Sequence, residues 1–172
     1  EPRGRPDRLL PDFIKKNGIT QVEKGEDAPL LTSDVEAPVV ESLGSGAAAI
    51  GHLNVNPDVD GGIRTEPLVL AHFNEIYPAL SLMIAAKSLN LGVADIKVKL
   101  GDSVRLGSLK IGTDPVMQMN TFFYKDRDGR AAFPIDSFYD VYSGKIPAAK
   151  YADKIVLIGA VAAGIGANQV TP

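Results

Sequence analysis

The stretch AAIGHLNVNPDVDGGIRTEPLVLAHF, residues 48–73, decides the fold that the sequence predicts. Its first part, Ala48–Val55, and its last part, Ile63–Phe73, are mostly apolar runs of the kind that forms strands. Between them, Asn56–Gly62 is dense in turn residues, because Pro fixes φ, Asp binds nearby backbone N–H groups and Gly accepts positive φ. The stretch therefore predicts an antiparallel hairpin, with Pro67 at an edge or a bulge because Pro cannot donate to a ladder.

The residues that follow predict one long helix and several short strands. Pro78–Leu91 has a broad apolar face at helical spacing, and Gly92 supplies a stop. The next short strands are predicted at Ile96–Leu100, Ser103–Leu106, Leu109–Ile111 and Met119–Tyr124, with Gly-X loops between the first three. The continuously apolar Lys154–Ile158 predicts a closing strand buried on both faces.

Short helices complete the pattern. They are predicted at Leu9–Asn17, at Pro38–Leu43 and from Asp136-Ser137, which can cap a helix running to about Tyr142. The order of the elements predicts an α/β, mixed α+β fold. Its parts are a mostly antiparallel or mixed sheet with hairpins, one long helix and a buried closing strand.

Composition excludes several classes of function. The chain has 172 residues with a net charge of −3, and its charges of both signs are interspersed, which argues against a nucleic-acid partner. It has no Cys, so disulfides and Cys-based zinc sites are excluded. The longest apolar run, Ile155–Ala163, is far shorter than the roughly 20 residues of a spanning helix. Because the chain begins at Glu1, we expect a piece of a longer protein whose membrane anchors lie outside it.

Two Asp-x-Asp-Gly turns lie between strand-like runs, at Asp58–Gly61 and at Asp126–Gly129. One interpretation is structural, because Asp-Gly between strands is a strong hairpin signal. The other is a calcium loop, since Asn56, Asp58 and Asp60 imitate the first half of an EF-hand. The twelfth position is Pro67, however, where a bidentate Glu is required, so we expect no tight calcium site.

Patterns for catalysis and for cofactors are incomplete. His52 and His72, the only histidines, have no dedicated carboxylate beside them, so we expect no metal site and no cofactor. The loop Gly159–Gly166 has the glycine spacing of a phosphate loop, but Ile165 stands where Lys is needed. Packing or weak anion binding by backbone amides remain its two interpretations. No nucleophile constellation is present, so no catalytic residue is assigned.

Several segments together resemble one family, and they lie within residues 46–172. They are Gly51–Leu68 with its Gly-x-x-Asn strand, its Asp-x-Asp-Gly turn and Arg64; Tyr77–Leu82; Phe133–Pro147; Lys154–Gly159; and Thr171-Pro172. This set resembles the type-two CHASE domain, the cyclase- and histidine-kinase-associated extracellular sensory domain. The resemblance divides the chain into residues 1–45, a linker and remnant of the preceding part of the sensor, and residues 46–172, the core of the sensory domain.

The resemblance implies a non-catalytic input domain of a bacterial transmembrane receptor. Such a domain lies outside the cytoplasm and relays a ligand or a mechanical cue to a cytoplasmic cyclase or kinase. The motif positions that would bind a small-molecule ligand are Asn54, Asp58, Asp60, Arg64 and Asp136. We expect a homodimer, because an unpaired sheet edge invites pairing, and contact with the membrane only through flanking helices. The alternative is a stand-alone periplasmic protein that binds a small molecule.

Overall fold

The computed structural model describes residues 10–25, 29–33, 39–125, 128, 132–160 and 171. It divides into two compact units, Glu1–Thr121 and Phe122–Pro172. The second of the two Asp-x-Asp-Gly turns and the glycine-rich loop after Gly159 lie largely outside the described residues.

The described elements are four α-helices, eight β-strands and two 3-10 turns. The helices are α1 (Asp12–Lys15), α2 (Glu41–Gly44), α3 (Leu80–Ser88) and α4 (Phe138–Tyr142). The strands are β1 (Gln21–Glu23), β2 (Thr65–Pro67), β3 (Val69–His72), β4 (Glu75–Pro78), β5 (Ile96–Lys99), β6 (Ser103–Leu106), β7 (Leu109–Gly112) and β8 (Gln118–Asn120). The 3-10 turns are Val93–Asp95 and Ala148–Tyr151.

A four-stranded sheet in the order β1-β5-β6-β7 forms one side of the core of the first unit. The strand β1 pairs parallel with β5, whereas β5, β6 and β7 form an antiparallel meander. Side chains alternate along the strands, so Ile96 and Val98 of β5 and Val104 and Leu106 of β6 are buried. The sheet therefore has one apolar face toward the core and one face toward solvent.

The helix α3 supplies the opposite side of this core. Leu82, Met83 and Ala86 are buried and belong to the same apolar cluster as the inward side chains of the sheet. The helix ends at Ser88. Two residues further on, Asn90 takes a left-handed conformation with φ 58°, and the Leu91 N–H donates to the Ala86 carbonyl oxygen. The predicted long helix is thus confirmed. It begins two residues later than predicted, at Leu80, and it ends at Ser88 rather than at Leu91.

Two small antiparallel sheets complete the first unit. The strands β3 and β4 form a hairpin, and β2 pairs with β8, so that Pro67 faces Gln118. The predicted irregularity at Pro67 is confirmed, because the chain breaks there into β2 and β3. Near β8, Met117 is fully buried with φ 66°, and its Sδ accepts from the Gly101 N–H at 3.1 Å and from Thr113 Oγ1 at 3.6 Å.

The predicted hairpin of Ala48–Val55 with Ile63–Phe73 is wrong. The backbone of the first segment is used elsewhere: the Ile50 N–H donates to Asn17 Oδ1, and His52 forms a single parallel bridge with Ala79. At Gly51 a Cβ would lie 2.5 Å from the Leu80 nitrogen, so this segment lies directly against the start of α3. Its hydrogen bonds to Asn17, which follows α1, and to Pro78 and Leu80 around the start of α3 replace the ladder that a strand pair would need.

The predicted buried closing strand is also wrong. Lys154–Ile158 forms no strand, and the side chains of Ile155, Leu157 and Ile158 are between 68% and 79% exposed. A continuous apolar run predicts burial only when strands lie on both of its edges. No described residue of the second unit pairs with this run. The apolar pattern alone therefore predicted a buried strand where the chain has no strand partner.

The predicted mixed α/β class is confirmed. The described residues form mixed and antiparallel sheets, and α3 is the only described helix longer than five residues. The short helices predicted near residues 9–17, 38–43 and 136–142 correspond to α1, α2 and α4. Leu10, Ile14 and Ile19 are buried, so residues before position 46 contribute to the core of the first unit.

Candidate functional site

The acidic turn, which we define as residues 58–64, closes on itself rather than joining two strands. The Gly61 N–H donates to the Asp58 carbonyl oxygen at 2.8 Å, and the Asp58 N–H donates to the Gly62 carbonyl oxygen at 2.9 Å. Gly61 has φ 79°, a conformation that a side chain would strain. The Gly62 N–H donates to Asp60 Oδ1 at 2.9 Å, which is the turn bonding expected of Asp.

Arg64 brings the two predicted carboxylates of this turn together. Its Nη1 donates to Asp58 Oδ2 at 2.6 Å and to Asp60 Oδ1 at 2.9 Å, and its Nη2 donates to Asp60 Oδ2 at 2.8 Å. The Arg64 hydrogen bonds, with that of the Gly62 N–H, hold the pKa of Asp60 well below its usual range. The two carboxylates raise the pKa of Arg64 in turn. All three side chains remain substantially exposed, so solvent screens this cluster.

The two predicted asparagine positions have other partners. The Asn54 amide donates to Ser33 Oγ at 2.8 Å, and the Asn56 amide donates to Gln118 Oε1 at 3.0 Å. Gln118 is itself held by Asp114, whose Oδ2 accepts from its side-chain amide at 3.0 Å. Asn56 thus ties the entry to the acidic turn to β8, whereas Asn54 ties the preceding segment to Ser33.

Asp136 belongs to the second unit, where it holds a local cluster of its own. Lys150 Nζ donates to both of its carboxylate oxygens at 2.8 Å, and the Tyr151 hydroxyl donates to Oδ2 at 2.8 Å. The Lys150 hydrogen bond is the first cause of its lowered pKa. The adjacent Ser137 caps α4 as predicted, since its Oγ accepts from the Asp140 N–H. Asp136 therefore fastens the start of α4 to the Ala148–Tyr151 turn.

One titratable residue was not selected by sequence reasoning. Both ring nitrogens of His52 are buried and have no hydrogen-bond partner among the described residues. Burial lowers the pKa of His52 to about 4, because the charged ring would lose its hydration. No local sequence signal distinguishes His52 from His72, whose Nδ1 lies 3.0 Å from the Ser33 carbonyl oxygen. Within the described residues, no group of three or more His, Asp or Glu could hold a metal ion.

The family model of the CHASE2 domain matches residues 1–172, and the chain belongs to this family. It is a non-catalytic family of extracellular sensory domains in signalling receptors. The match also includes residues 1–45, which precede the motifs of the resemblance.

No curated protein and no solved structure matches the chain significantly. Among the described residues, the structure contains no helix with the length and apolar character needed to span a membrane.

Proposed function

We propose that the chain is the extracytoplasmic input domain of a bacterial transmembrane receptor with a cytoplasmic cyclase or kinase as its output. The observation that carries this proposal is the family match over the whole chain. A ligand or a mechanical cue would bias the domain between two conformations, and the membrane-coupled output would follow that equilibrium. In bacteria with two membranes, the domain would lie in the periplasm.

The acidic turn is the part of the first unit that we propose to respond to the cue. It is held by exposed ion pairs and by turn hydrogen bonds rather than by buried apolar side chains. Exposed ion pairs contribute little free energy, and ligand-binding segments come from the least stable parts of a fold. A small change in the partners of Arg64 can therefore shift the turn without unfolding the core.

Arg64 also has donor capacity left for a ligand. Three hydrogen bonds to Asp58 and Asp60 leave two of the five guanidinium N–H donors without a protein partner among the described residues. Asp58 makes one contact and Asp60 makes two, so a carboxylate-bearing small molecule would displace Asp58 more readily. Asn54 and Asp136 stay in the proposal as motif positions, although each has a different partner.

The test uses the full-length receptor in membrane vesicles, with cyclic nucleotide synthesis or phosphotransfer as the readout. Asp60→Asn removes the bidentate partner of Arg64, so we expect a basal output clearly different from that of the wild type. Asp140→Asn is the matched control, because it removes the same charge from another exposed ion pair, with Lys145 at 3.2 Å. Equal output from the wild type and both variants, with each variant folded by circular dichroism, would count against the acidic turn.

A separate measurement addresses the input role itself. Deleting the domain from the receptor should change the basal output, because an input domain biases its output domain in at least one state. An output that is the same with and without residues 1–172 would contradict the proposal. The two measurements together distinguish a wrong site from a wrong function.

A further inference from the structure

The solvent face of the four-stranded sheet collects positive charge that the sequence does not reveal. Directly paired residues on neighbouring strands lie on the same face. The register pairs Lys97 with Arg105 and Arg105 with Lys110, so that three cations form one row across β5, β6 and β7. Lys99 lies on the same face of β5, two residues from Lys97. We call these four residues the basic face.

The basic face is exposed and only weakly neutralised. All four side chains lie in exposed positions. Lys110 pairs with Asp102 at 3.2 Å, whereas Lys97, Lys99 and Arg105 have no ion pair within 4 Å among the described residues. The parallel neighbour β1 places Glu23 beside Lys99. Four cations therefore face two carboxylates, on a chain whose net charge is −3.

This arrangement costs stability, which a purely structural sheet would avoid. Like charges directly opposite each other on neighbouring strands are destabilising. Lys97 opposite Arg105, and Arg105 opposite Lys110, are two such pairs in succession. Strand spacing puts the cations of the row about 5 Å apart, and Lys99 lies about 7 Å along the strand from Lys97.

We propose that the basic face docks the first unit on an anionic lipid surface. This inference rests on the proposed function, which puts the domain beside the membrane that anchors its receptor. Clustered Lys and Arg side chains are attracted to anionic headgroups without needing a pocket. A two-dimensional array of cations on a sheet face matches a flat surface that carries repeated negative charges. Long Lys and Arg side chains can also reach toward headgroups while their stems stay on the protein.

Other partners fit this face less well. Single-stranded nucleic acid is bound by aromatic side chains interleaved with basic ones, and the residues of this face include no aromatic side chain. The same face of a second copy would be repelled, because an isologous contact brings like charges together. An anionic bilayer remains the partner whose charge and shape both match.

The test measures binding of the 172-residue chain to vesicles of phosphatidylcholine with phosphatidylglycerol, and to vesicles of phosphatidylcholine alone. We expect co-sedimentation with the anionic vesicles only. Binding should weaken steeply with salt, since the screening length falls from about 10 Å at 0.1 M to about 3 Å at 1 M. Equal binding to both kinds of vesicle, or to neither at low salt, would overturn the proposal.

Charge-matched variants distinguish an effect of the basic face on binding from an effect of the net charge of the chain. The face variant combines Lys97→Gln, Lys99→Gln and Arg105→Gln. The control combines Lys15→Gln, Lys16→Gln and Lys87→Gln, at exposed positions at the end of α1 and on α3. Losing three cations next to an anionic leaflet should lower the partition coefficient about 100-fold. The control should stay close to the wild type. A control variant that loses as much binding as the face variant would overturn the proposal.

Two further arms complete the design. The face variant removes repulsive pairs, so its melting temperature should equal or exceed that of the wild type, which shows that lost binding is not lost folding. Inorganic phosphate should compete no better than chloride at equal ionic strength. Selective displacement by phosphate would overturn the lipid proposal in favour of a soluble anion. Vesicle binding requires no receptor output, so its failure and failure of the proposed function are distinguishable.

Discussion

At the scale of single residues, Arg64 shows how much of the candidate site is locally encoded. Asp58, Asp60 and Arg64 lie within seven positions, and a turn closed by Gly61 and Gly62 brings their charged groups within 3 Å. The sequence predicts the turn itself, since Asp-Gly turns fold on their own neighbours, but it does not predict that Arg64 pairs with both carboxylates. The partners of Asp136, 14 and 15 residues away, could not be predicted, because they depend on how α4 meets the following turn.

His52 gives a pH dependence of stability with a definite sign. Its pKa falls from 6.5 to about 4 on folding. Between these pH values the His52 imidazole binds a proton in the unfolded chain but not in the folded chain. The free energy of unfolding should therefore decrease as the pH falls from 6.5 to 4, by at most about 3 kcal/mol, and this contribution should level off below pH 4. Urea titrations at a series of pH values measure it.

The control for this dependence is a variant that lacks the imidazole. His52→Leu removes the titrating group, so its profile should be less steep than that of the wild type between pH 6.5 and 4. A His52→Leu profile with the same slope as that of the wild type would show that carboxylates, rather than this imidazole, cause the loss.

At the scale of elements, the helix α3 is predicted from the sequence and contributes Leu82, Met83 and Ala86 to the core. Leu82 is 2% exposed, whereas Leu89, at the end of the same helix, is 52% exposed. Leu82→Ala should lower the free energy of unfolding by about 2–5 kcal/mol, because it leaves a cavity between α3 and the sheet. Leu89→Ala should change it by less than about 0.5 kcal/mol.

Chemical denaturation of the two Leu→Ala variants measures this difference, with the same side chain removed in each case. Similar losses at both positions would mean that α3 does not bury the face described here.

Elements with local determinants could be predicted from the sequence, and those with distant partners could not. The meander β5-β6-β7 is made of Gly-linked hairpins, and α3 is a largely apolar run followed by a left-handed Asn90. The parallel pairing of β1 with β5, across more than 70 residues, has no local signal. The sequence does not predict the strand β4, whose last residue, Pro78, also fits the start of the predicted helix.

The basic face also depends on partners that are distant in the sequence. Its cations are spread over 14 positions and alternate with apolar residues, so the sequence presents them as ordinary exposed positions of strands. Only the register gathers them into a row. Charge balance over the whole chain therefore excluded nucleic acid but could not detect a local surface of opposite sign.

At the scale of the whole molecule, the apolar run Ile155–Ile158 is exposed to solvent. Its four side chains are between 49% and 79% exposed, and short exposed segments rich in β-branched residues tend to associate. The edge strands β1 and β7 carry Glu23 and Lys110, which discourage pairing at those edges. We therefore propose that the expected homodimer forms through this run.

Leu157→Glu should shift the protein toward monomer, because a buried contact would then contain an unpaired carboxylate. Leu53→Glu is the matched control, since Leu53 is 77% exposed and Leu157 is 78% exposed. Light scattering over a range of protein concentrations measures the mass of the wild type and of both variants. A wild-type mass that stays monomeric at high concentration would contradict the homodimer.

The buried thioether of Met117 has a consequence for chemical durability. The chain has no Cys and three Met, and Met83 and Met117 are almost completely enclosed while Met119 is partly so. Outside the cytoplasm a domain is exposed to oxidants without the reducing systems of the cell, and sulfoxide formation at an enclosed sulfur requires the fold to open first. The rate at which oxidants reach Met83 and Met117 is therefore set by how often the core opens, so the packing of the core also protects these two sulfur atoms.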